Sequence, residues 1–321
     1  MKEIFSIMFS GGRSSGMMAA GVIEAGLPVD EVLFCNTGLE SGETYEFLAA
    51  VNERLLGGRL TCLEFCMSGT KPGYRVVSVD DLCRDGSPME ALVRWRRYLP
   101  NRRTRFCTEE LKVRTSLRYL YDTHGSDCLF HKYVGIRYDE ARRAARIRGR
   151  NDAVEARLGD GKRPLRWTDL AIMPLESRRI QRADVLDYWR DVELNLGFDY
   201  TDEGVRISNC VGCFNNGVNA LILQAAGYPL HAKKWEKIEL MVNRHKGEKA
   251  KAFPKHLFAE NYLGRPATLA EMTSWSTHER FTWAMVNEAA GNRGLVGSLM
   301  DEYQGEIPLA GCSDGECSLD I

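Results

Sequence analysis

The sequence predicts an α/β protein: a doubly wound, mostly parallel five-stranded sheet with a helical C-terminal cover. Two observations carry this. The N-terminal third alternates apolar runs of strand length with amphipathic stretches of helical period, in the order β-α-β-α-β. Strands separated by helices pair in parallel and place helices on both sheet faces. Two later apolar runs, "LFHKYVGIR" and "DLAIMPL", complete the five strands.

Each element has its own signal. Ile4–Phe9 is a continuous apolar strand, and Ser14–Ala25 is a helix with Met17, Met18, Val22 and Ile23 on its buried side. "VDEVLFCNTG" supplies the second strand, Glu43–Leu56 a second amphipathic helix, and "RLTCLEFC" the third strand. Residues 67–90 are rich in Gly, Pro and Asp and read as loop. Thr108–Tyr121 reads as a helix between the third and fourth strands. "RGRNDAVEARLGDGKRPLR" is polar and reads as an excursion between the last two strands. "RRIQRADVLDYWRDVEL" is a helix, and further helical segments fall at Asn219–Ala226, Ala232–Asn243 and Thr277–Ala289. A boundary near residue 200 divides an α/β part, 1–200, from a cysteine-containing loop, helical cover and tail, 201–321.

Composition excludes several classes. In 321 residues, 44% hydrophobic and 27% charged, no apolar run approaches the ~20 residues that span a bilayer. The N-terminus runs directly into a strand pattern without a cleavable signal, so a cytoplasmic protein with no membrane partner is expected. Ten cysteines in such a compartment mean buried thiols, metal ligands or redox groups rather than a disulfide framework. Cys35, Cys62 and Cys66 lie in strand-like segments and read as small core residues. Net charge is −1, but residues 94–150 hold sixteen Lys/Arg against six Asp/Glu. That run is either a solvated face with ion pairs or a groove for a polyanion such as nucleic acid.

The turn after the first strand, "SGGRSS", has the form of a phosphate cradle. Gly11 and Gly12 let the backbone turn tightly and approach an anion, and the following helix start aims N–H groups and its positive dipole end at the same point. Ser10, Ser14 and Ser15 add hydroxyls. The pattern is neither a Walker loop nor the three-glycine dinucleotide fingerprint.

"SGGRSS" resembles the pyrophosphate loop of the adenine-nucleotide α-hydrolase (HUP-like) superfamily, which contains the N-type ATP pyrophosphatases and the phosphoadenosine phosphosulfate (PAPS) reductases. "NTGLESGETYEFL", "RFCTEELKVR", "VGIRYDEARRAAR" and "IMPLESRRIQRADVLDYW" resemble the PAPS-reductase-like branch in that order, over residues 4–215. The resemblance implies an adenine-nucleotide-binding 1–200 domain, with Ser10, Gly11, Gly12, Arg13, Ser14 and Ser15 at the pyrophosphate. It implies that Asn36, Thr37 and Gly38 meet the adenosine half, and that Arg105, Lys112 and Arg137 lie near phosphates or the transferred group as catalytic candidates. Arg13-Ser14 stands where the strict pyrophosphatases have lysine-aspartate, so a Mg²⁺ ion would need Asp139 or Glu140.

"NCVGCFNNG" spaces Cys210 and Cys213 so that both thiolates can meet one metal centre, and a redox pair or two buried thiols compete with that. Cys107 is the natural third ligand. By resemblance the centre is a [4Fe–4S] cluster; structural zinc or no metal are the alternatives, with Cys312 or Cys128 as a fourth ligand. Glu316-Cys317 resembles the tail that carries the nucleophilic cysteine of sulfonucleotide reductases, making Cys317 a catalytic candidate. Three functions follow. The first is an ATP pyrophosphatase that adenylates an acceptor oxygen for replacement by sulfur, on nucleic acid (DNA phosphorothioation or tRNA thiolation), with a sulfur donor such as a cysteine desulfurase. The second is a PAPS or adenylyl-sulfate reductase served by thioredoxin. The third is a non-catalytic nucleotide-binding subunit.

Overall fold

The computed structural model describes residues 1–101, 104–162, 168–194, 196, 209–216, 221, 224 and 227–246. It is an α/β structure built on a six-stranded mixed sheet in the order β4-β3-β2-β1-β5-β6. The strands are β1 (Lys2–Met8), β2 (Glu31–Asn36), β3 (Leu60–Ser68), β4 (Lys71–Val77), β5 (Cys128–Tyr133) and β6 (Leu170–Ile172). All neighbours pair in parallel except β3 and β4. The helices are α1 (Arg13–Glu24), α2 (Gly42–Arg54), α3 (Ser87–Arg96), α4 (Thr115–His124), α5 (Ala141–Gly159), α6 (Pro174–Ser177), α7 (Arg182–Val192) and α8 (Pro229–Lys246), with a π-helical segment at Thr108–Arg114.

Strand alternation explains the layering. Ile7, Phe9, Val32, Phe34 and Cys62 join the core beneath α1, α2 and α7. Their neighbours Ile4, Met8, Leu33, Cys35 and Leu63 join a second core with α4 and α5. A strand buried on both faces reads as a continuous apolar run, as these do. A third cluster packs α8, through Trp235 and Ile238, against Leu92 and Val93 of α3.

The sheet is not the five-stranded one expected. Residues 71–77, read as loop, form β4, which returns antiparallel along β3 after a tight turn with Gly69 in the left-handed region, φ +61°. An edge strand tolerates Pro72, since its outward N–H is not needed by a partner. The same stretch also contains the start of α3, with Pro88 in its first turn. Much of the polar excursion is helical: α5 runs to Gly159, burying only Ala144, Ile147 and Val154 along its length. The helix expected over Thr108–Tyr121 begins as the π-helical segment and continues as α4 to His124; Thr115 Oγ1 donates to the Glu110 carbonyl (2.8 Å), across the widened turn. Thr277–Ala289 and the tail lie outside the described residues. No helix among the described residues is long and apolar enough to cross a membrane.

Chain order reverses at β1, which lies between β2 and β5. In an open α/β sheet the ligand crevice lies outside the carboxyl ends of the strands at such a point. Here that edge gathers three segments: the β1–α1 turn, residues 36–41 from the last residue of β2 onward, and residues 134–140 after β5.

Candidate functional site

The β1–α1 turn is braced by its own hydroxyls. Gly11 turns the chain at φ +79°, and a Cβ there would lie 2.8 Å from Thr44 Cγ2 of α2. Ser15 Oγ donates to the Gly12 carbonyl (3.0 Å) and accepts from the Ser10 amide (3.1 Å), which leaves Ser10 Oγ as the donor in the 2.8 Å Ser10–Ser15 contact. The Ser15 hydroxyl therefore shapes the turn and has no proton left for a phosphate. Arg13, Ser14 and Ser15 are buried in the first turn of α1, while Ser10 is half-buried.

Two residues unremarked in the sequence fix this turn. Gly135, just past β5, lies so close that a Cβ would stand 2.7 Å from Ser15 Cα and N. Trp189 of α7 donates from Nε1 to the Arg13 carbonyl at 2.9 Å. Gly135 sits in the quoted "VGIR" and Trp189 closes "ADVLDYW". Residue type alone could have flagged the glycine; nothing local marks the indole.

Arg137 reaches the turn too, donating from Nη1 to Ser14 Oγ at 3.0 Å. Only 2% of its side chain is exposed, and it is also paired with Asp139 (2.9 Å) and Glu140 (3.7 Å). Glu140 further accepts from the Arg137 amide and pairs with Arg143. Both carboxylates named for Mg²⁺ are thus occupied by arginine. Arg137 acts on the turn through Ser14, as a buried strut.

After β2, the expected adenosine edge is a tight polar turn. Asn36 is saturated: Nδ2 donates to Glu64 Oε1 (2.6 Å) and the Cys83 carbonyl (2.8 Å), and Oδ1 accepts from Gly38 N (3.0 Å). Glu64, fully buried, also accepts from Arg75 (2.6 and 2.8 Å) and from Cys83 N (2.6 Å). Thr37 N and Oγ1 both donate to Glu40 (3.2 and 2.9 Å). Gly38, at φ +78°, is packed against Pro88 and Gly86, which a Cβ would meet at 2.8–3.1 Å. Burial first, then the adjacent Glu40 carboxylate, pushes the Tyr45 hydroxyl well above its ordinary pKa, so it stays a donor beside Asn36 Oδ1 (2.9 Å). The three predicted residues are together, but the Asn36 amide is spent inside the turn.

The cysteine loop anneals to this same segment. Ser41 N donates to the Asn209 carbonyl (2.8 Å), Val211 N donates to the Leu39 carbonyl (2.7 Å), and Glu40 and Cys210 form an antiparallel bridge. Trp235 Nε1 holds the Val211 carbonyl (2.9 Å), so α8 secures the loop. Cys107, Cys210, Cys213, Lys112 and Thr37 line one narrow cavity, with Thr37 Oγ1 4.0 Å from Cys210 Sγ. The C-x-x-C spacing named two of these thiols and the resemblance the third, and the fold does bring them together. They are not a ligand set as arranged: among the described residues no three His, Cys, Asp or Glu side chains are placed to hold a metal ion. Among the described residues, then, the side chains as placed assemble neither a [4Fe–4S] nor a Mg²⁺ ligand set. Cys128 begins β5, at the opposite end of the sheet, and its Sγ donates to the His124 carbonyl (3.2 Å), so it is no fourth ligand. Cys312 and Cys317 lie outside the described residues. Cys35 and Cys62 are core thiols whose pKa values burial pushes up to about 12, and Cys66 is half-buried.

Of the catalytic candidates among the described residues, Arg137 is the one whose hydrogen bond to the turn is resolved. Lys112 projects from the π-helical segment into the thiol cavity, Arg137 braces Ser14, and Arg105 precedes Cys107 with its carbonyl accepting from Thr108 N (3.0 Å). Within the basic 94–150 run, Arg94, Arg96, Arg114, Arg118, Arg137, Arg143, Arg148 and Arg150 are in ion pairs. Compared with known proteins, the chain matches no family model, no curated protein and no solved structure, so the site is read from its geometry and from its motifs.

Proposed function

We propose that the chain binds an adenine nucleotide at the carboxyl edge of β1, with its pyrophosphate on the Ser10–Ser15 turn. We assign it the chemistry of an ATP pyrophosphatase of the PAPS-reductase-like kind, on an HUP-like sheet. One observation carries the reading: a strand–Ser-Gly-Gly–helix turn, with Gly11 in the left-handed region, lies where chain order reverses. Helix N-termini at such turns favour phosphate through their N–H groups and dipole.

In the reaction, an acceptor oxygen attacks the α-phosphorus and the bond to the bridging α,β-oxygen breaks. Pyrophosphate leaves with that electron pair, and the acceptor's proton passes to solvent. The turn stabilises the charge growing on the leaving group. A sulfur nucleophile then attacks the adenylated centre and AMP departs. Cys107, Cys210 and Cys213 share a cavity with Thr37 of the nucleotide edge, which suits them to carry that sulfur. If it arrives as a persulfide from a desulfurase, a second thiol cleaves the S–S bond and the resulting disulfide is reduced by a cellular dithiol. A nucleic-acid acceptor is supported by Arg97, Arg142 and Arg146 of the basic run, exposed and in no ion pair among the described residues. No second function is favoured by a specific observation, since Cys317 is outside the described residues.

The test is to incubate purified protein with ATP and acceptor RNA or DNA, then separately with PAPS and thioredoxin. Pyrophosphate from ATP is expected. Sulfite from PAPS would transfer the assignment to a reductase. Nucleotide binding without either product would leave an accessory subunit.

A further inference from the structure

We infer that Trp189 is a positioning residue for the anion turn: its indole, reaching in from α7, sets where the first turn of α1 stands relative to bound phosphates. This rests on the nucleotide reading above and adds a residue to it.

Three observations support it. Indole nitrogen is a donor only, and here it is spent on a carbonyl of the turn, Arg13 O at 2.9 Å, 176 residues away in sequence. The ring also lies over α1 itself: a Cβ on Gly16 would meet Trp189 Cζ2 at 2.8 Å and Cη2 at 3.1 Å, so the slot exists because residue 16 is glycine. Finally, the indole has little freedom to shift, being packed edge-on against Phe47 of α2 with centroids 4.7 Å apart at 69°. It is buried, and it belongs with residues of α1 and α2 to the core beneath the turn.

The consequence concerns phosphate rather than the whole ligand. Backbone donors act through fixed distances to the oxygens they stabilise, so a shift of a few tenths of an ångström in the turn weakens them together. Adenosine, held elsewhere on the sheet edge, does not sense this shift. A residue that merely filled the core would affect overall stability without distinguishing the two parts of the nucleotide.

Calorimetric titration of the full chain with inorganic pyrophosphate, ATP and adenosine tests this, alongside thermal unfolding. Trp189→Phe keeps an aromatic ring against Phe47 and removes the donor. Pyrophosphate and ATP should bind about fivefold more weakly, the effect of one neutral hydrogen bond, with adenosine affinity unchanged. Gly16→Ala approaches from the other side, forcing the indole away; it should weaken pyrophosphate binding similarly and add little in the Trp189→Phe background. Should Trp189→Phe not fold, Gly16→Ala alone decides. Unchanged pyrophosphate affinity in the folded variants, or an equal loss for adenosine, overturns the inference. Wild-type protein that binds neither pyrophosphate nor ATP instead overturns the nucleotide reading beneath it.

Discussion

At Gly11 the backbone takes a conformation that L side chains adopt only with strain, and α2 leaves no room for one. Alanine there would meet both penalties: about 1–2 kcal/mol for the left-handed backbone and about 1–3 kcal/mol for pushing Thr44 aside. Gly26 separates the two, since it sits at φ +62° with nothing within 4 Å of a Cβ. We therefore expect Gly26→Ala to cost only the strain and leave pyrophosphate affinity intact. Gly11→Ala should cost more and weaken that affinity at least tenfold. Urea unfolding and pyrophosphate titration of both variants check this, and equal behaviour would remove the turn from the site. This turn was legible in the sequence because its chemistry is local: two glycines and three serines in six residues, between a strand and a helix. Asn36 was legible as a position but not as a role. Its amide is consumed by Glu64, Cys83 and Gly38, and only the fold places a buried carboxylate beside it.

The elements were legible wherever their apolar period was strong. β1, β2, β3, α1 and α2 are buried on long stretches, and the pattern shows it. β4 is half-exposed at the sheet edge, and its Gly and Pro look like loop until an antiparallel partner is present. α5 touches the sheet through so few apolar residues that its polarity hides its period. A π-helical start to Thr108–Arg114 has no sequence signature beyond a helix. α8 illustrates how an element placed late in the chain becomes tied to the site: it holds the cysteine loop through Trp235 and is held in turn by Lys234, 2.6 Å from Glu90 of α3. That attachment carries a pH dependence of definite sign. The Lys234 hydrogen bond keeps Glu90 below the ordinary carboxylate range, so its stabilisation is present above about pH 4.5 and is lost as pH falls through the depressed value. His231 of α8, lowered by burial, acts in the same direction from about pH 6.5 downward, because the unfolded chain takes up the proton first. Limited proteolysis between pH 7 and 3 should show α8 cleaved progressively faster on acidification. Glu90→Gln should flatten the lower part of that profile and His231→Asn the upper part; a profile unchanged by both would place the attachment elsewhere.

At the scale of the whole molecule, the basic run looks different once folded. A sequence window counts only the acids inside it, whereas Arg94, Arg148 and Arg150 take their partners, Glu90, Glu176 and Asp169, from outside. Glu110 alone, 3% exposed, serves Arg96, Arg118 and Arg114. An arginine already paired with a carboxylate has little to gain from a phosphate, so the run's formal excess overstates its pull on a polyanion. Among the described residues, Arg97, Arg142 and Arg146 of the run are exposed and in no ion pair; Arg102 and Arg103 lie outside the described residues. With these three charges, binding to duplex DNA should weaken with salt at a log–log slope of roughly −3, at about −0.9 per neutralised phosphate. Arg142→Ala together with Arg146→Ala should lower the magnitude of that slope by about 2, while Arg148→Ala should leave it unchanged. Filter binding across a salt series measures all three. A slope steeper than about −8 would mean that the internal ion pairs open for nucleic acid, and the run would then be the groove its composition suggests.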